Sequence, residues 1–517
     1  MKHTPLFDQH VRDASVVINL KGFARAMEYQ GHLAEHEAVR SSAGLCDVSH
    51  MGEIEFKGPD ALALVQKLIT NDAGKLAVNQ ALYSVMCDER GSVIDDLVCF
   101  RLEADRFFWV VNVTKTDEDF RWVLKHAAGM DVAVRNLSTD TALMALQGPE
   151  SREVLQRITK ADLSTLRYYW LTPTTIYTGR AEVPCIVSRT GYTGELGYEI
   201  MAAKDHAAWV WDELLMVGRP LGILAAGVAA RESLRTEAGY LLNGNDMDGV
   251  TNPFEAGLGW TVKFSKDFIG KAALDEIRKK GVARRLVGIE VQARLTVRHG
   301  YPILKDGAQI GRVTSGPLWA PAADDRSLGL GYVSVEHSKA GTELEVEIRG
   351  KRRKALVVDL PLRERRVKSE PAVRTRSPYD LRFSESHVWL REDEGSADTV
   401  SLGLSDFGQR SLGRVLCAML PQPGDKVSAG TALGWIDSYR RPFEIVSPVT
   451  GEVVAVDEEL MKKPARINAY PYIRAGIVRI RLAAPLESAG LLSFKDYAAL
   501  TARLSDYDAW SNERRTL

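Results

Sequence analysis

Short runs rich in Val, Ile, Leu and Phe cover Tyr83–Cys87, Ile94–Phe100 and Phe107–Asn112 and predict strands. The turn Asp88–Gly91 joins the first two. Helical spacing marks Gly31–Gly44, Asp60–Ile69, Asp117–His126 and Ala225–Glu237, and the chain turns into a further strand over Cys46–Phe56. The first 140 residues therefore read as mixed α and β, with no internal repeat. Residues 285–362 change to short strands with turns, among them Leu286–Val291, Gly311–Ser315 and Leu344–Arg349, a spacing that predicts a small β-barrel. The basic stretch Arg363–Arg376, with Pro371 and Pro378 punctuating its end, reads as a solvated connector. A second all-β pattern begins near Tyr379. Its turn signals are Pro421–Asp425, Ser428–Gly430 and Ser447–Gly451, and Ser493–Leu504 is the closing helix.

The run Ile94–Phe100 carries the most informative conflict, because apolar residues flank two adjacent carboxylates, Asp95 and Asp96. Alternation along a strand sends them to opposite faces. An ionised carboxylate in a dry interior is costly unless paired or hydrogen-bonded. Two readings follow: both cap backbone N–H groups at a strand end, or one faces a pocket and meets a reacting nitrogen.

The run Ser188–Ile200 holds three glycines spaced by three, which allow close backbone approach to a ligand. It lacks the Lys-Ser/Thr ending of a phosphate loop and supplies carboxylates instead. Those suit a ligand edge of N–H donors such as an aminopyrimidine, although a glycine-rich hairpin with solvent-facing Glu has the same pattern. Arg231 and Arg235 share a face of the helix Ala225–Glu237, and Glu232 is placed to neutralise Arg235. Asp47 and His50 hint at a charge relay, but no serine-nucleophile elbow accompanies them, so a structural role is expected.

Length and composition narrow the class. At 517 residues the chain exceeds one ordinary core. With 45% hydrophobic and 26% charged residues and a net charge of −1, it has no electrostatic footprint for nucleic acid. Gly222–Ala230, among the longest apolar runs, is far too short to span a membrane, and Met1–His10 lacks a secretory signal's apolar stretch. The five cysteines (46, 87, 99, 185 and 417) form no paired motif. Reduced thiols, no metal and a cytoplasmic location are the expectation.

Residues 1–365 resemble the T-protein of the glycine cleavage system, the aminomethyltransferase family. The resemblance rests on Lys2–Phe7, Cys46–Gly52, Thr70–Asp72, Tyr83–Cys87, Ile94–Val98, Gln147–Pro149, Arg189–Glu195, Gly239–Met247 and Asn252–Gly257. Residues 379–505 resemble the H-protein of the same system, through His387–Trp389, Gly403–Gln409, Ser411–Gly413, Leu420–Asp425 and Ser447–Glu452. The resemblance implies an α+β folate-binding transferase region over 1–284, a C-terminal β-barrel over 285–365, a linker over 366–378 and an all-β, barrel-sandwich-hybrid H-protein-like domain over 379–505.

It also implies an activity: transfer of an aminomethyl group from dihydrolipoyl sulfur to tetrahydrofolate, giving methylene-tetrahydrofolate and ammonia. Asp96 is the implied catalytic carboxylate, Glu199 and Arg231 the implied folate contacts, and Glu195, Tyr83 and Asn112 further pocket lining. A separate lipoylated H-protein is the implied partner. The folate-dependent demethylases share the scaffold and remain an alternative. So does a non-catalytic folate-binding protein, although the Lys-Gly-Cys-Tyr motif of the relatives in iron–sulfur assembly is replaced by Glu237–Tyr240.

Two departures stand out. Where the T-protein family usually reads Phe-Ala-Gly-Trp-x-Met-Pro, this chain has Leu20–Ala26, with Phe23 for Trp, Arg25 for Met and Ala26 for Pro. That segment borders the substrate end of the family's pocket, so a cation there bears on the one-carbon donor. In the H-protein-like part the lipoyl lysine's motif, Glu-Ser-Val-Lys, is replaced by Asp437–Arg440. A guanidinium is a poor acyl acceptor and cannot form the lipoyl amide.

Overall fold

The computed structural model describes the chain except residues 179, 294, 318–325, 369–380, 394–395, 397, 413–414, 439–441, 463, 465–466, 468–475, 487–489, 494–495, 498–499 and 502–517. It divides into two units, Met1–Leu215 with Ala225–Ser369, and Met216–Leu224 with Glu370–Leu517.

The first unit holds two antiparallel sheets and a barrel. One sheet runs in the order Gln80–Cys87, Val93–Glu103, Arg106–Val111, Gly52–Lys57 and Ala133–Asn136. The helix Ala61–Leu68 buries Ala61, Leu64, Val65 and Leu68, a helical stripe, in a core with Ile54, Phe56 and Trp109 of this sheet. The second sheet carries Leu171–Tyr177, Glu182–Ser188, Gly197–Ala203, Thr141–Gln147 and Ala43–Asp47 in that order. Val39, Ala81, Phe100, Phe108, Leu143, Met201 and Leu234 form one core between the sheets. The expected barrel is closed, in the order Arg284–Val291, Ser327–Ser334, Ala308–Ser315, Pro302–Lys305, Glu343–Ile348 and Lys351–Val358. Ile289, Val291, Ile303, Val313, Val346 and Val357 fill it.

Three sequence expectations change. Cys46–Phe56 is not one strand: the helix before it ends at Ser41, and Ala43–Asp47 and Gly52–Lys57 lie in different sheets. The helix predicted from Ala225 begins at Val228, because Ile223–Ala225 is extended. The basic stretch from Arg363 is not solvated spacer where it is described. The Arg363 N–H donates to the Glu237 carbonyl (2.9 Å), Arg365 Nε to the Ala238 carbonyl (2.7 Å), and Arg366 pairs with Glu195 at 2.7 Å.

In the second unit, Arg382–Phe383, Val388–Glu392, Thr399–Leu404, Val478–Leu482, Gly451–Val456 and Lys426–Val427 form one sheet, and Val415–Met419, Ala432–Ser438 and Phe443–Val446 another. Leu390, Val400, Leu402, Ile436, Ile445, Val453 and Ile480 fill the space between them. The strands flanking the departed lipoyl motif pair antiparallel, Ile436 opposite Phe443, while Tyr439, Arg440 and Arg441 lie outside the described residues. So does most of the closing segment Ser493–Leu504, although the Tyr497 hydroxyl lies 2.9 Å from His387 Nδ1. No helix among the described residues is long and apolar enough to cross a membrane.

Candidate active site

A cavity of about 1190 Å³ opens in the first unit, lined from both sheets, the barrel, the N-terminal hairpin and the segment up to Lys368. The double-carboxylate strand Val93–Glu103 enters it between the strands of Tyr83 and Val110, with Asp96 opposite Val85 in the register. Asp96 lines the cavity. Its Oδ2 accepts from the Tyr83 hydroxyl at 2.9 Å and its Oδ1 from Asn112 Nδ2 at 2.9 Å. Asp95 points away, fully buried, and accepts from the Asn112 backbone N–H at 2.9 Å and Asn112 Nδ2 at 2.8 Å. The two readings thus divide between neighbours: Asp95 caps backbone, and Asp96 faces the cavity. Alternation separates them, yet Asn112 bridges both.

This geometry sets the charge state of Asp96. Burial and the adjacent Asp95 raise it from the ordinary carboxylate range to about 7, against the hydrogen bonds from Tyr83 and Asn112. Burial raises Asp95 as well, and Asp119 next to it is pushed to about 11 by burial and Asp95, so Asp119 stays protonated.

Glu199 sits on Gly197–Ala203, half-buried in the cavity wall. Its Oε2 accepts from the Thr190 hydroxyl at 2.5 Å, and Oε1 has no donor among the described residues. Burial raises its pKa, while Thr190 and Arg231 oppose the rise. Arg231, on the helix Val228–Glu237, also reaches the cavity, its guanidinium 4.7 Å from the Tyr192 ring centroid. Tyr192 stacks on Tyr240 at 5.6 Å, Arg365 lies 4.4 Å over Tyr240, and Tyr83 stacks on Trp260 at 5.9 Å. The cavity is therefore walled by aromatic rings, with the open Oε1 of Glu199 able to accept from a ligand.

Of the residues expected from the sequence, the structure brings together Asp96, Tyr83, Asn112, Glu199 and Arg231. Glu195 is elsewhere and is corrected: it does not line the cavity, and its buried Oε1 is held by Arg40 at 2.8 Å and Arg366 at 2.7 Å. Arg235 turns inward, to Glu232 at 2.8 Å as expected, and to Asp246 at 2.9 Å. No Asp47–His50 relay exists, since Asp47 Oδ2 takes Thr4 and His10, each at 2.7 Å, while His50 lines the cavity. The glycines of the Ser188–Ile200 run answer mainly to packing. A Cβ at Gly191 or Gly197 would lie 2.0 or 2.3 Å from the Gln147 side chain. Tyr168, Tyr169, Tyr192, Tyr240, Trp260 and Arg365 were not foreseen as lining. Tyr192 and Tyr240 lay inside motifs already singled out, so aromatic residues within such motifs were the available signal.

Comparison with known proteins places this cavity in a family. Residues 6–266 match the GCVT N-terminal domain, 284–363 the glycine cleavage T-protein C-terminal barrel domain, and 381–503 the glycine cleavage H-protein. An aminomethyltransferase of Desulfitobacterium hafniense is 44% identical over 69% of this chain and 97% of its own. One of Halothermothrix orenii is 43% identical over 70% and 99%. The solved aminomethyltransferase T of the Bartonella henselae glycine cleavage system is 34% identical, with a TM-score of 0.65 over 71% of this chain and 99% of that one. The chain belongs to the glycine cleavage T-protein family and carries an H-protein-like domain behind the T-protein barrel.

Proposed function

We propose that this transferase moves an aminomethyl group from a dihydrolipoyl carrier to tetrahydrofolate, with Asp96 as the catalytic carboxylate. The observation that carries the reading is Asp96, held by Tyr83 and Asn112 in the same aromatic-walled cavity as Glu199. The residues present fit a reduced folate. Tyr192, Tyr240, Tyr83 and Trp260 offer faces for flat rings, the open Oε1 of Glu199 accepts from an aminopyrimidine edge, and Arg365 and Lys368 offer cations to an anionic tail. Bound tetrahydrofolate supplies the amine nitrogens that receive the one-carbon unit.

The chain's own part is electrostatic and geometric. Asp96, raised to about 7, is ionised above neutral pH and stabilises positive charge that develops on a nitrogen beside it. Near neutrality it also holds or releases a proton, a contribution of roughly a hundred- to ten-thousandfold in rate. Tyr83 and Asn112 fix its two oxygens. The apolar walls from Leu82, Val98, Val110 and Leu143 exclude water around it. Because Arg440 stands at the lipoyl position, the carrier in this reading is a separate lipoylated H-protein.

Calorimetric titration of the full chain with tetrahydrofolate tests the binding half. Saturable binding that weakens in Glu199→Gln supports it. No heat and no thermal stabilisation at millimolar ligand refutes it.

A further inference from the structure

Asp119 does not line the cavity, yet it is set against the residues that hold Asp96. It lies in the first turn of the helix Thr116–Ala127, where acidic side chains usually face water and complement the helix dipole. Its neighbours Asp117 and Glu118 are exposed in that way, whereas Asp119 is fully buried. No N–H or hydroxyl among the described residues reaches either of its side-chain oxygens. The group in hydrogen-bond contact with it is the carboxyl of Asp95, also fully buried, on Val93–Glu103.

Two carboxyls touching in a dry interior cannot both ionise, so a proton lies between them. The hydrogen bonds say which one carries it. Asp95 accepts from the Asn112 backbone N–H at 2.9 Å, from Asn112 Nδ2 at 2.8 Å and from the Asp96 backbone N–H, the set that suits an anion. Asp119 has no such donors and suits the acid. Asn112 then passes the arrangement on, because its Nδ2 also donates to Asp96 Oδ1 at 2.9 Å, while the Tyr83 hydroxyl holds Oδ2. The other charged groups beside Asp119 are Glu118 and Lys115, which pair with each other at 2.8 Å. Around Asp96, burial keeps Tyr83, Tyr169 and Tyr192 neutral, and Glu199 and Arg231 share its cavity.

We propose that Asp119 is a positioning residue for Asp96: it donates its carboxyl proton to Asp95, and the pair, carrying one negative charge, fixes Asn112 and through it Asp96. The proposal rests on the reading of Asp96 as the catalytic carboxylate. The retained proton lets Asp119 and Asp95 sit side by side with one charge to bury instead of two. It also keeps Asp95 ionised, and the charge on Asp95 is part of what raises Asp96. Remove the donor and Asp95 takes up a proton of its own, so Asp96 loses a neighbouring charge and ionises more readily.

The test compares Asp119→Asn, whose amide still donates to Asp95, with Asp119→Leu, which cannot, in the full chain. Infrared difference spectra of the parent against Asp119→Asn, at pH 8 and pH 9, read the proton directly. The expected result is a carboxylic-acid C=O band present in the parent at both values and missing from the variant. Other buried acids that stay protonated, Glu53 among them, cancel in the difference. The kcat/KM profile, with tetrahydrofolate and an aminomethyl-loaded H-protein, reads the consequence. In Asp119→Leu the acidic limb should move to lower pH by about one pH unit or more, and in Asp119→Asn it should stay as in the parent. Absence of the acid band overturns the shared proton. A limb that stays in place in a folded Asp119→Leu, or moves equally in both variants, overturns the positioning role. If Asp119→Leu does not fold, the band and the limb of Asp119→Asn decide: band lost and limb unmoved support the proposal, and any other combination overturns it. Absence of turnover in the parent strikes the reading of Asp96 instead, and the infrared band then decides the proton pair alone.

Discussion

Replacing Asp96 by Asn should make the protein more stable and nearly inactive, and the stability gain should depend on pH. Asp96 is 9% exposed and raised to about 7 by burial and Asp95. A carboxylate whose folded value lies above its ordinary one costs nothing while protonated in both states. The cost grows as pH rises past the unfolded value and is complete once pH exceeds the folded one. Moving from 3.8 to about 7 corresponds to about 4 kcal/mol at pH 8, at 1.36 kcal/mol per tenfold change. Part of that is repulsion shared with Asp95, so about 2–4 kcal/mol is the expected gain. Asn keeps the local bonds: its oxygen accepts from Asn112 and its amide donates to the Tyr83 hydroxyl.

The assay is urea denaturation of the full chain at pH 8 and pH 5, with the first unit's transition identified by hydrogen exchange of the Val93–Glu103 amides. Asp96→Asn should be more stable at pH 8, with most of the gain gone at pH 5, and its turnover should fall about a hundredfold or more. An equal gain at both pH values, or none at pH 8, would refute the assigned charge state.

Three further outcomes follow from the same geometry. Asp95→Asn removes the charge that raises Asp96, so the acidic limb of the kcat/KM profile should move to lower pH, as read by initial rates across pH 5–9. Asp246→Asn leaves the buried Arg235 half-compensated, and equilibrium denaturation should show a loss of about 3–5 kcal/mol. Co-expression with a lipoate ligase should add no lipoyl mass to the chain by intact-mass spectrometry, because Arg440 occupies the lysine's place.

Much of the site was legible in residues whose chemistry clashes with their surroundings. Asp95 and Asp96 inside an apolar strand announced themselves, and alternation correctly sent only one to a cavity. Glu199 and Arg231 followed from the resemblance. Glu195 failed because a carboxylate beside Glu199 in a quoted motif says nothing about a partner 155 residues away; Arg40 captures it. The segment Arg363–Lys368 was misread for a related reason. A basic run looks solvated until Glu237, Ala238 and Glu195 arrive from elsewhere to receive it. The aromatic walls were hidden likewise, since Tyr83 meets Trp260 and Tyr192 meets Tyr240 only after the chain has folded. The barrel was readable from the spacing of its short strands, although its closure was not, since Arg284–Val291 pairs with Ser327–Ser334 and Lys351–Val358, far along the chain.

The most direct measurement supplies the full chain with tetrahydrofolate and a separate H-protein whose dihydrolipoyl arm carries an aminomethyl group, and quantifies folate product and ammonia together. The account predicts methylene-tetrahydrofolate and ammonia in equal amounts, with Asp96→Asn reducing both about a hundredfold or more. Methyl-tetrahydrofolate formed from a methylated donor while the loaded carrier goes unused, or no folate product at all, would contradict it.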